Sequence, residues 1–406
     1  MSTLKVDNIR HNNATTDAIT MVSDGTCTPN ISSFNGGSGF AGRNLILNGE
    51  FVIDQRMGGS ATAITPTGGV DYTCDMWHES NYGGEAARIT FQQRSGDTPT
   101  PNYRQAIRLD VTTAMGTPSG NNWMGFSQFI ESQNIKFLGH GTSSAKPITL
   151  QFWIKSTKTG TATVGITRSD ANREYLAEYT INQSDTWEFK TITFPGDTSG
   201  AEAAGDNGRG FAIYFCLFAG STRHGTLNNW RTYPGNYYGA SANQVNLLDS
   251  TSNFVLFAGV QLEVGNIATP FEHKTFSDNL RDCQRYYYQV GGQTNDGQPD
   301  EPYGVLLPMA MNATATRVKG VLTHPVPMRT GPSVSGGGSG ACLCQCGDVS
   351  SSTVLVYQAI WTASNTARHT WIDMSPNSGT VGLIGETGVV YANNSTYHFK
   401  VSAELT

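Results

Sequence analysis

Charged residues are scarce in this chain: Asp, Glu, Lys and Arg make up only 14% of its 406 residues, about half the share usual in a globular domain. This composition excludes a coiled coil or long-helix protein, which relies on Glu, Lys and Arg. Disorder as the main state is also excluded, because aromatic residues reach 10% and the net charge is only −6. A net negative chain is a poor electrostatic partner for nucleic acid, so we expect no such partner.

Long hydrophobic runs are missing as well. The longest apolar stretch, residues 211–218, is too short to cross a bilayer and fits a strand buried on both faces. The N-terminus lacks the apolar region of a signal peptide, so we expect synthesis in a cytosol and no membrane insertion. Seven cysteines are an odd number for a disulfide scaffold, which a chain of this length does not need, and this predicts reduced thiols.

Catalytic motifs are absent from the sequence. It contains no G-x-S-x-G elbow, no G-x-x-x-x-G-K-[ST] phosphate loop, no H-E-x-x-H and no paired C-x-x-C. The eight histidines occur singly, without ligand spacing, which favours structural or solvated roles. We therefore expect no catalytic residue, no metal and no cofactor.

Two clusters of side chains could form a different kind of site, catalytic or metal-binding. Three acidic residues lie close together around a predicted turn: Asp71, Asp75 and Glu79. They could supply the facing carboxylates of a glycosidase, although acidic residues at a turn are more often structural. Three cysteines alternate, so a strand would place their thiols on one side: Cys342, Cys344 and Cys346. Zinc sites usually need four ligands with wider loops, so small buried residues on a sheet face are the favoured interpretation.

The chain divides into four parts by composition and pattern. Residues 1–43 cannot bury a core, which predicts an extended attachment segment that orders only against another molecule. Residues 44–290 contain strand after strand without intervening helices, which predicts a β-sandwich or jelly roll. Residues 291–302 have the composition of a linker, and residues 303–406 predict a smaller C-terminal β-sandwich domain. The predicted fold class is all-β.

Alternation of apolar and polar residues marks the strands. Every second residue over 148–154 is apolar, which predicts one buried face. The stretch 254–264 has the same pattern and predicts another single buried face. One stretch predicts a helix, with Ser277 as its N-cap. Three residues would share the apolar side of that helix: Leu280, Cys283 and Tyr287.

The segment 223–238 is the candidate binding site. It places aromatic rings among Asn, Gly, Arg and His, without the alternation that would bury them. Flat aromatic faces beside amide and guanidinium donors suit sugar rings. The predicted glycan-binding residues are Arg223, Trp230, Arg231, Tyr233, Tyr237 and Tyr238. Trp230 would offer an exposed stacking face; alternatively, these aromatics cap the open end of the sandwich or form a subunit contact.

Several sequence blocks in order resemble a family of tailed-phage structural proteins. They are NLILNGEFVIDQR at 44–56, DYTCDMW at 71–77, KPITLQFWIKSTKTGT at 146–161, TINQSDTWEFKTITFPGDTSG at 180–200, NLLDSTSNFVLFAGVQLEVGNIATPFEH at 246–273 and CQRYY at 283–287. The opening MSTLKVDNIR and the PMRTGPSV and SAEL blocks near the end are similar to tail-fibre chains of marine, cyanophage-type phages. The resemblance covers nearly the whole chain.

The resemblance implies a non-enzymatic tail fibre or tail-associated virion protein with a jelly-roll domain like carbohydrate-binding modules. It implies a homotrimer, attached to the tail or to another virion protein through residues 1–43, that contacts a host cell-surface glycan. Two alternatives stay open. The chain could be a purely structural virion protein, such as a tail adaptor, collar or capsid appendage, or it could be a glycan depolymerase.

Overall fold

The computed structural model describes residues 6–10, 19–21, 27–29, 42–64, 69–83, 88–232, 238–291, 305–314, 316–337, 342–346, 353–360, 366–376, 384–392 and 398–405. These residues are almost entirely β-structure with one α-helix, so the predicted all-β class is confirmed. Within the predicted attachment segment, three short strands form an antiparallel sheet of their own: β1 (Asn8–Ile9), β2 (Ile19–Met21) and β3 (Cys27–Pro29).

Thirteen described strands build the main body. In chain order they are β4 (Thr62–Ile64), β5 (Gly69–Tyr72), β6 (Trp77–Tyr82), β7 (Arg88–Arg94), β8 (Ala106–Thr113), β9 (Trp123–Glu131), β10 (Ile148–Ser156), β11 (Gly160–Arg168), β12 (Arg173–Ile181), β13 (Glu188–Phe194), β14 (Arg209–Ala219), β15 (Arg231–Thr232) and β16 (Phe254–Val264). One sheet has the order β13-β10-β16-β8-β7-β4, and the other has the order β15-β12-β11-β14-β9-β6-β5. Short 3-10 turns lie at Ser132–Asn134, Lys136–Leu138, Ser169–Ala171 and Ser221–Arg223.

The two sheets enclose one core. Trp77 stacks on Phe126 with ring centroids 4.9 Å apart, and Phe215 of the seven-stranded sheet lies 4.6 Å from Phe257 of the six-stranded sheet. All four rings are fully buried. The chain passes repeatedly from one sheet to the other, as it does from β8 through β9 to β10, which is the pattern of a jelly roll. The predicted β-sandwich is thus confirmed.

One of the two predicted alternating strands changes sides along its length. The core face predicted over 148–154 is confirmed, because Ile148, Leu150, Phe152 and Ile154 all lie in the core. The other face of the strand is partly buried as well, at Thr149 and Gln151. Along β16 the ladder with β10 shifts register where Gly259 adopts a φ of +56°. A β-bulge adds one residue to a strand, so the side chains before the bulge face the opposite way from what strict alternation predicts. Phe257 and Val260 therefore both enter the core, and the prediction of a single buried face over 254–264 is wrong.

A segment without strands, residues 42–60, runs between the two sheets. The carbonyl of Gly49 accepts a hydrogen bond from Val260 N at 2.8 Å, and the side chain of Gln128 holds the segment from the opposite sheet. A Cβ on Gly49 would lie 2.0 Å from the Val260 carbonyl oxygen, so only glycine fits there. Asn48 has a φ of +51°, and its side-chain amide donates to two backbone carbonyls. Close packing thus explains the Asn-Gly pair of the first resembling block.

The α-helix of the described residues, α1 (Phe276–Gln284), begins one residue before the predicted N-cap. The Thr275 hydroxyl accepts a hydrogen bond from Asp278 N at 3.1 Å and donates to its carboxylate at 2.7 Å. This reciprocal pairing makes Thr275 the N-cap, so the assignment of Ser277 is wrong. Cys283 is buried as predicted. Tyr287 lies beyond the helix, in the next strand.

The remaining strands belong to the C-terminal part. They are β17 (Tyr287–Gly291), β18 (Val305–Thr314), β19 (Arg317–Thr323), β20 (Ser333–Gly337), β21 (Cys342–Cys346), β22 (Thr353–Ile360), β23 (His369–Pro376), β24 (Thr387–Ala392) and β25 (His398–Ser402). Six of them close into a barrel in the order β18-β19-β23-β22-β21-β24, and β17-β25-β20 form a small sheet. The predicted C-terminal sandwich is corrected to a barrel: β18 pairs with β24, which leaves neither strand as an exposed edge.

The C-terminal residues fasten the barrel part to the sandwich. Leu405 is buried in the sandwich core, and its carbonyl accepts a hydrogen bond from the Tyr72 hydroxyl at 2.7 Å. Arg56 pairs with the buried Glu404. The alternating cysteines lie in strand β21, and the placement of their thiols falls outside the described residues, as do residues 292–302 of the predicted linker.

Candidate functional site

The outer face of the seven-stranded sheet carries two large rings that lie on glycine positions. A Cβ on Gly165 would lie 2.1 Å from Cζ of Tyr214, and one on Gly125 would lie 2.3 Å from Cη2 of Trp123. The missing side chains therefore let both rings lie against the sheet. Tyr238 packs on them, with its ring centroid 4.8 Å from Tyr214 and 5.0 Å from Trp123. The segment that follows β14 is thus packed, through Tyr238, on the rings of Tyr214 and Trp123.

A cleft of about 300 Å³ opens where this segment meets the loop between β8 and β9. Its lining residues are Asn121, Thr222, Arg223, His224, Arg231, Tyr238 and Gly239. Three of the six predicted site residues are thereby brought together: Arg223, Arg231 and Tyr238. Sequence reasoning did not select Asn121, Thr222, His224 or Gly239. Asn121 is far from the segment 223–238 in the sequence, so no sequence signal points to it. His224 follows Arg223 directly and could have been selected from its position.

A buried carboxylate holds the guanidinium of Arg231 in the cleft. Arg231 Nη2 donates to Glu174, whose side chain is fully buried. Glu174 also accepts hydrogen bonds from the Tyr214 hydroxyl and from Gly239 N, each at 2.6 Å. A Cβ on Gly225 would lie 2.2 Å from Arg231 Cζ, and one on Gly239 would lie 2.4 Å from Nη2. The two glycines therefore make room for the guanidinium, and the carboxylate fixes its orientation.

Arg223 forms the opposite part of the lining. Its Nε donates to the Asn121 carbonyl at 2.7 Å, and its guanidinium lies 4.3 Å from the centroid of the Tyr82 ring. The described lining thus carries two guanidinium groups against one carboxylate behind it. This local positive charge stands out in a chain of net charge −6 and favours an anionic ligand or a ligand rich in hydrogen-bond acceptors.

Trp230 lies in the core. It is only 9% exposed, and its ring meets His140 and Tyr175 edge-on, at centroid distances of 5.8 and 5.6 Å. Its Nε1 donates to the Pro195 carbonyl at 2.7 Å. The expected exposed stacking face is therefore wrong for Trp230, because its indole is packed into the sandwich core. Tyr233 and Tyr237 lie outside the described residues.

The three acidic residues considered for a glycosidase lie away from the cleft. The Asp75 carboxylate is buried and accepts hydrogen bonds from Gln55 N at 2.7 Å and Nε2 at 2.6 Å. Glu79 pairs with Phe126 in the β6–β9 ladder and therefore faces the core, opposite Asp71 on β5. Burial raises the pKa of Glu79 to about 8, and the negative charge of Asp71 adds to this effect. Packing explains the position of Asp75 and Glu79.

We expect Glu79→Gln to stabilise the chain increasingly as the pH rises from about 4.5 to about 8. In the fold Glu79 holds its proton up to about pH 8, whereas its ordinary pKa is 4.5. Between those values the unfolded chain binds fewer protons, so the stability contributed by this group falls as the pH rises. At about 1.4 kcal/mol per unit of pKa, the gain is of the order of a few kcal/mol above pH 8 and absent near pH 4.5. Urea unfolding at both pH values measures it.

Glu202, which is exposed, provides the control for this experiment. Glu202→Gln should unfold like the parent chain at both pH values. An equal effect of Glu79→Gln at both pH values would mean that Glu79 is charged in the folded chain.

Other site types have little support among the described residues. They contain no group of three His, Cys, Asp or Glu side chains that could hold a metal ion. Their free cysteines, Cys74, Cys216 and Cys283, are all buried. None of their helices is long and apolar enough to cross a membrane.

No family model and no curated protein matches the chain. Among solved structures, it is similar to the enzymatically active domain of tailspike protein 4 of bacteriophage CBA120, at 15% identity over 55% of this chain and 21% of that one, with a TM-score of 0.28. The chain thus spans about a fifth of the tailspike structure's length.

Two carbohydrate-binding modules are similar to the same extent. TmCBM61, in complex with β-1,4-galactotriose, matches at 9% identity over 55% of this chain and 99% of that one, with a TM-score of 0.28. The family 11 module of the Clostridium thermocellum cellulosomal cellulase Lic26A-Cel5E matches at 15% identity over 53% and 98%, with a TM-score of 0.26.

Proposed function

We propose that this chain is a tail-fibre protein of a tailed phage that binds a host-surface glycan without cleaving it. The cleft carries the proposal, because three residues selected from the sequence for sugar chemistry line it together: Arg223, Arg231 and Tyr238. The blocks that resemble tailed-phage structural proteins, spread over nearly the whole chain, support a place in the virion.

The chemistry of the cleft suits an acidic sugar. Arg231 presents a planar guanidinium in a fixed orientation, which can pair with a carboxylate or with vicinal hydroxyls. Tyr238 supplies an aromatic side chain for the apolar face of the ring. At about 300 Å³, the cleft is at the small end of ligand sites, which suits the end of a glycan chain.

A shallow site of this kind binds weakly, at around millimolar Kd, or about −4 kcal/mol. Association into a homotrimer would multiply the contacts and raise the avidity by roughly two to four orders of magnitude. The trimer is proposed because residues 1–43 have too little sequence for a core of their own and fibre chains gain one around a symmetry axis. Light scattering of the purified chain should give the mass of three copies; a monomer at micromolar concentration would contradict the trimer.

We expect a chain that begins at Gly42 to fold like the full-length chain but to fail to assemble onto tails. Gly42 already belongs to the sandwich, since Gly42 N and Asn44 N both donate to the Glu272 carboxylate. Among the described strands, β1 to β3 pair only with one another. Thermal melting and assembly with tails that lack the fibre measure the two properties. Normal assembly of the shortened chain would rule out residues 1–43 as the attachment segment.

Two experiments separate the proposed function from its alternatives. Electron microscopy of virions labelled with antibody against this chain should place it on the fibres; label confined to a collar, an adaptor or the capsid would favour a purely structural protein. Incubation with host-envelope polysaccharide should release no reducing ends. Release of reducing ends would identify a depolymerase.

A further inference from the structure

A second depression, separate from the cleft, lies on the outside of the barrel and measures about 480 Å³. We call it the barrel groove. Val321 of β19 and Trp371 of β23 form its floor, directly opposite each other in the ladder. Pro325 and Pro327 stand along one side. Trp371 is 42% exposed, a large value for an indole, so much of its side chain is open to solvent.

The wall of the barrel groove is held in place from behind. His324 N donates to the Arg368 carbonyl at 3.0 Å, which ties the proline-containing segment to the start of β23. The buried His324 ring bonds to the Tyr288 hydroxyl at 2.6 Å and to Thr370 Oγ1 at 3.2 Å. Both ring nitrogens of His324 thus have partners within the protein, and the residue has a structural role. The groove is formed before any ligand arrives, which lowers the entropic cost of binding.

The polar lining of the barrel groove carries one fixed positive charge, that of Arg368. Arg368 and His369 lie beside Trp371, and no carboxylate is among the described lining residues. The Arg368 guanidinium is exposed and makes no hydrogen bond or ion pair with another described residue. The groove therefore offers an exposed indole next to a planar cation whose donors point to no described partner.

We propose that the barrel groove binds an acidic saccharide. The apolar face of one sugar ring packs on Trp371, and its carboxylate or sulfate pairs with Arg368. The charge of the lining selects an anion, and the single open indole matches one sugar ring. The barrel groove shares no residue with the Arg231 cleft, so binding at each site can be tested independently of the other.

Fluorine NMR of the full-length chain labelled with fluorotryptophan tests the proposal. The Trp371 signal is assigned as the one missing from Trp371→Phe. The probes are trigalacturonic acid, sialyllactose and a sulfated disaccharide, each matched with its neutral counterpart. We expect at least one acidic probe to shift the Trp371 signal at millimolar concentration. The neutral counterparts should leave it in place. Arg368→Ala should weaken the effect at least tenfold.

Two control variants make the result specific. Arg281→Ala removes an exposed guanidinium elsewhere, on α1, and should leave the titration unchanged. Glu174→Gln/Arg231→Met alters only the cleft and should also leave the Trp371 titration unchanged, so that failure of one site is distinguishable from failure of the other.

Three outcomes would overturn the proposal. The first is a Trp371 signal that none of the acidic probes shifts. The second is Arg368→Ala responding like the parent chain. The third is a Trp371 signal that moves with protein concentration alone, together with a change in molecular mass, which would make the groove an interface between copies of the chain.

Discussion

Replacing Trp230 with alanine is expected to destabilise the sandwich by about 3–5 kcal/mol, the range for removing a large buried aromatic side chain. The change would leave a cavity between His140 and Tyr175 and would remove the donor to the Pro195 carbonyl. Urea unfolding, followed by near-ultraviolet circular dichroism, measures the loss.

Trp371→Ala is the matched control for Trp230→Ala, because it makes the same change at an exposed position. It should cost no more than about 0.5 kcal/mol. If Trp230→Ala lowered the free energy of unfolding no more than this control does, the indole of Trp230 would be exposed. The stacking role predicted from the sequence would then be supported.

Replacing Glu174 with alanine is expected to cost about 3–5 kcal/mol, because it leaves the Arg231 guanidinium without its buried counter-charge. The Tyr214 hydroxyl and Gly239 N would lose the same acceptor. Thermal or urea unfolding measures the effect. Arg231 would also lose its fixed orientation, so glycan binding should fall with the stability.

The double variant Glu174→Gln/Arg231→Met separates charge from packing at this position. It removes both charges and keeps similar side-chain lengths, so it should recover most of the stability lost in Glu174→Ala. Equal losses in both variants would mean that the ion pair is not what makes Glu174 important.

Local alternation predicted the strands well, and long-range pairing explains where it failed. The alternating apolar residues of 148–154 lie in the core as predicted, and residues 211–218 are buried on both faces as their apolar run indicated. Along β16 a bulge at Gly259 reverses the facing of the residues, although the period of two continues in the sequence. Closure of the barrel depends on pairing between β18 and β24, which no local pattern records.

The candidate site was predicted in part, from composition. Arg223, Arg231 and Tyr238 were selected because aromatic and guanidinium groups cluster in one segment, and they do line one cleft. Trp230 belongs to the same cluster in sequence, yet its ring enters the core, because a loop residue can pack into a sandwich without any alternation. Glu174 was missed: it appears in the sequence as an ordinary polar residue of a strand, and its role depends on an Arg 57 positions later.

Calorimetric titration of the cleft with an acidic oligosaccharide from the host surface tests the central claim most directly. In chains that carry Trp371→Ala, and so lack the indole of the barrel groove, the intact cleft should bind it, and Glu174→Gln/Arg231→Met should lose at least tenfold in affinity while melting as a folded protein. Trp371→Ala, which leaves the cleft intact, should keep the binding at the cleft. Equal affinity of the Trp371→Ala chain with and without the two cleft substitutions would contradict the account and would move glycan recognition away from Arg231.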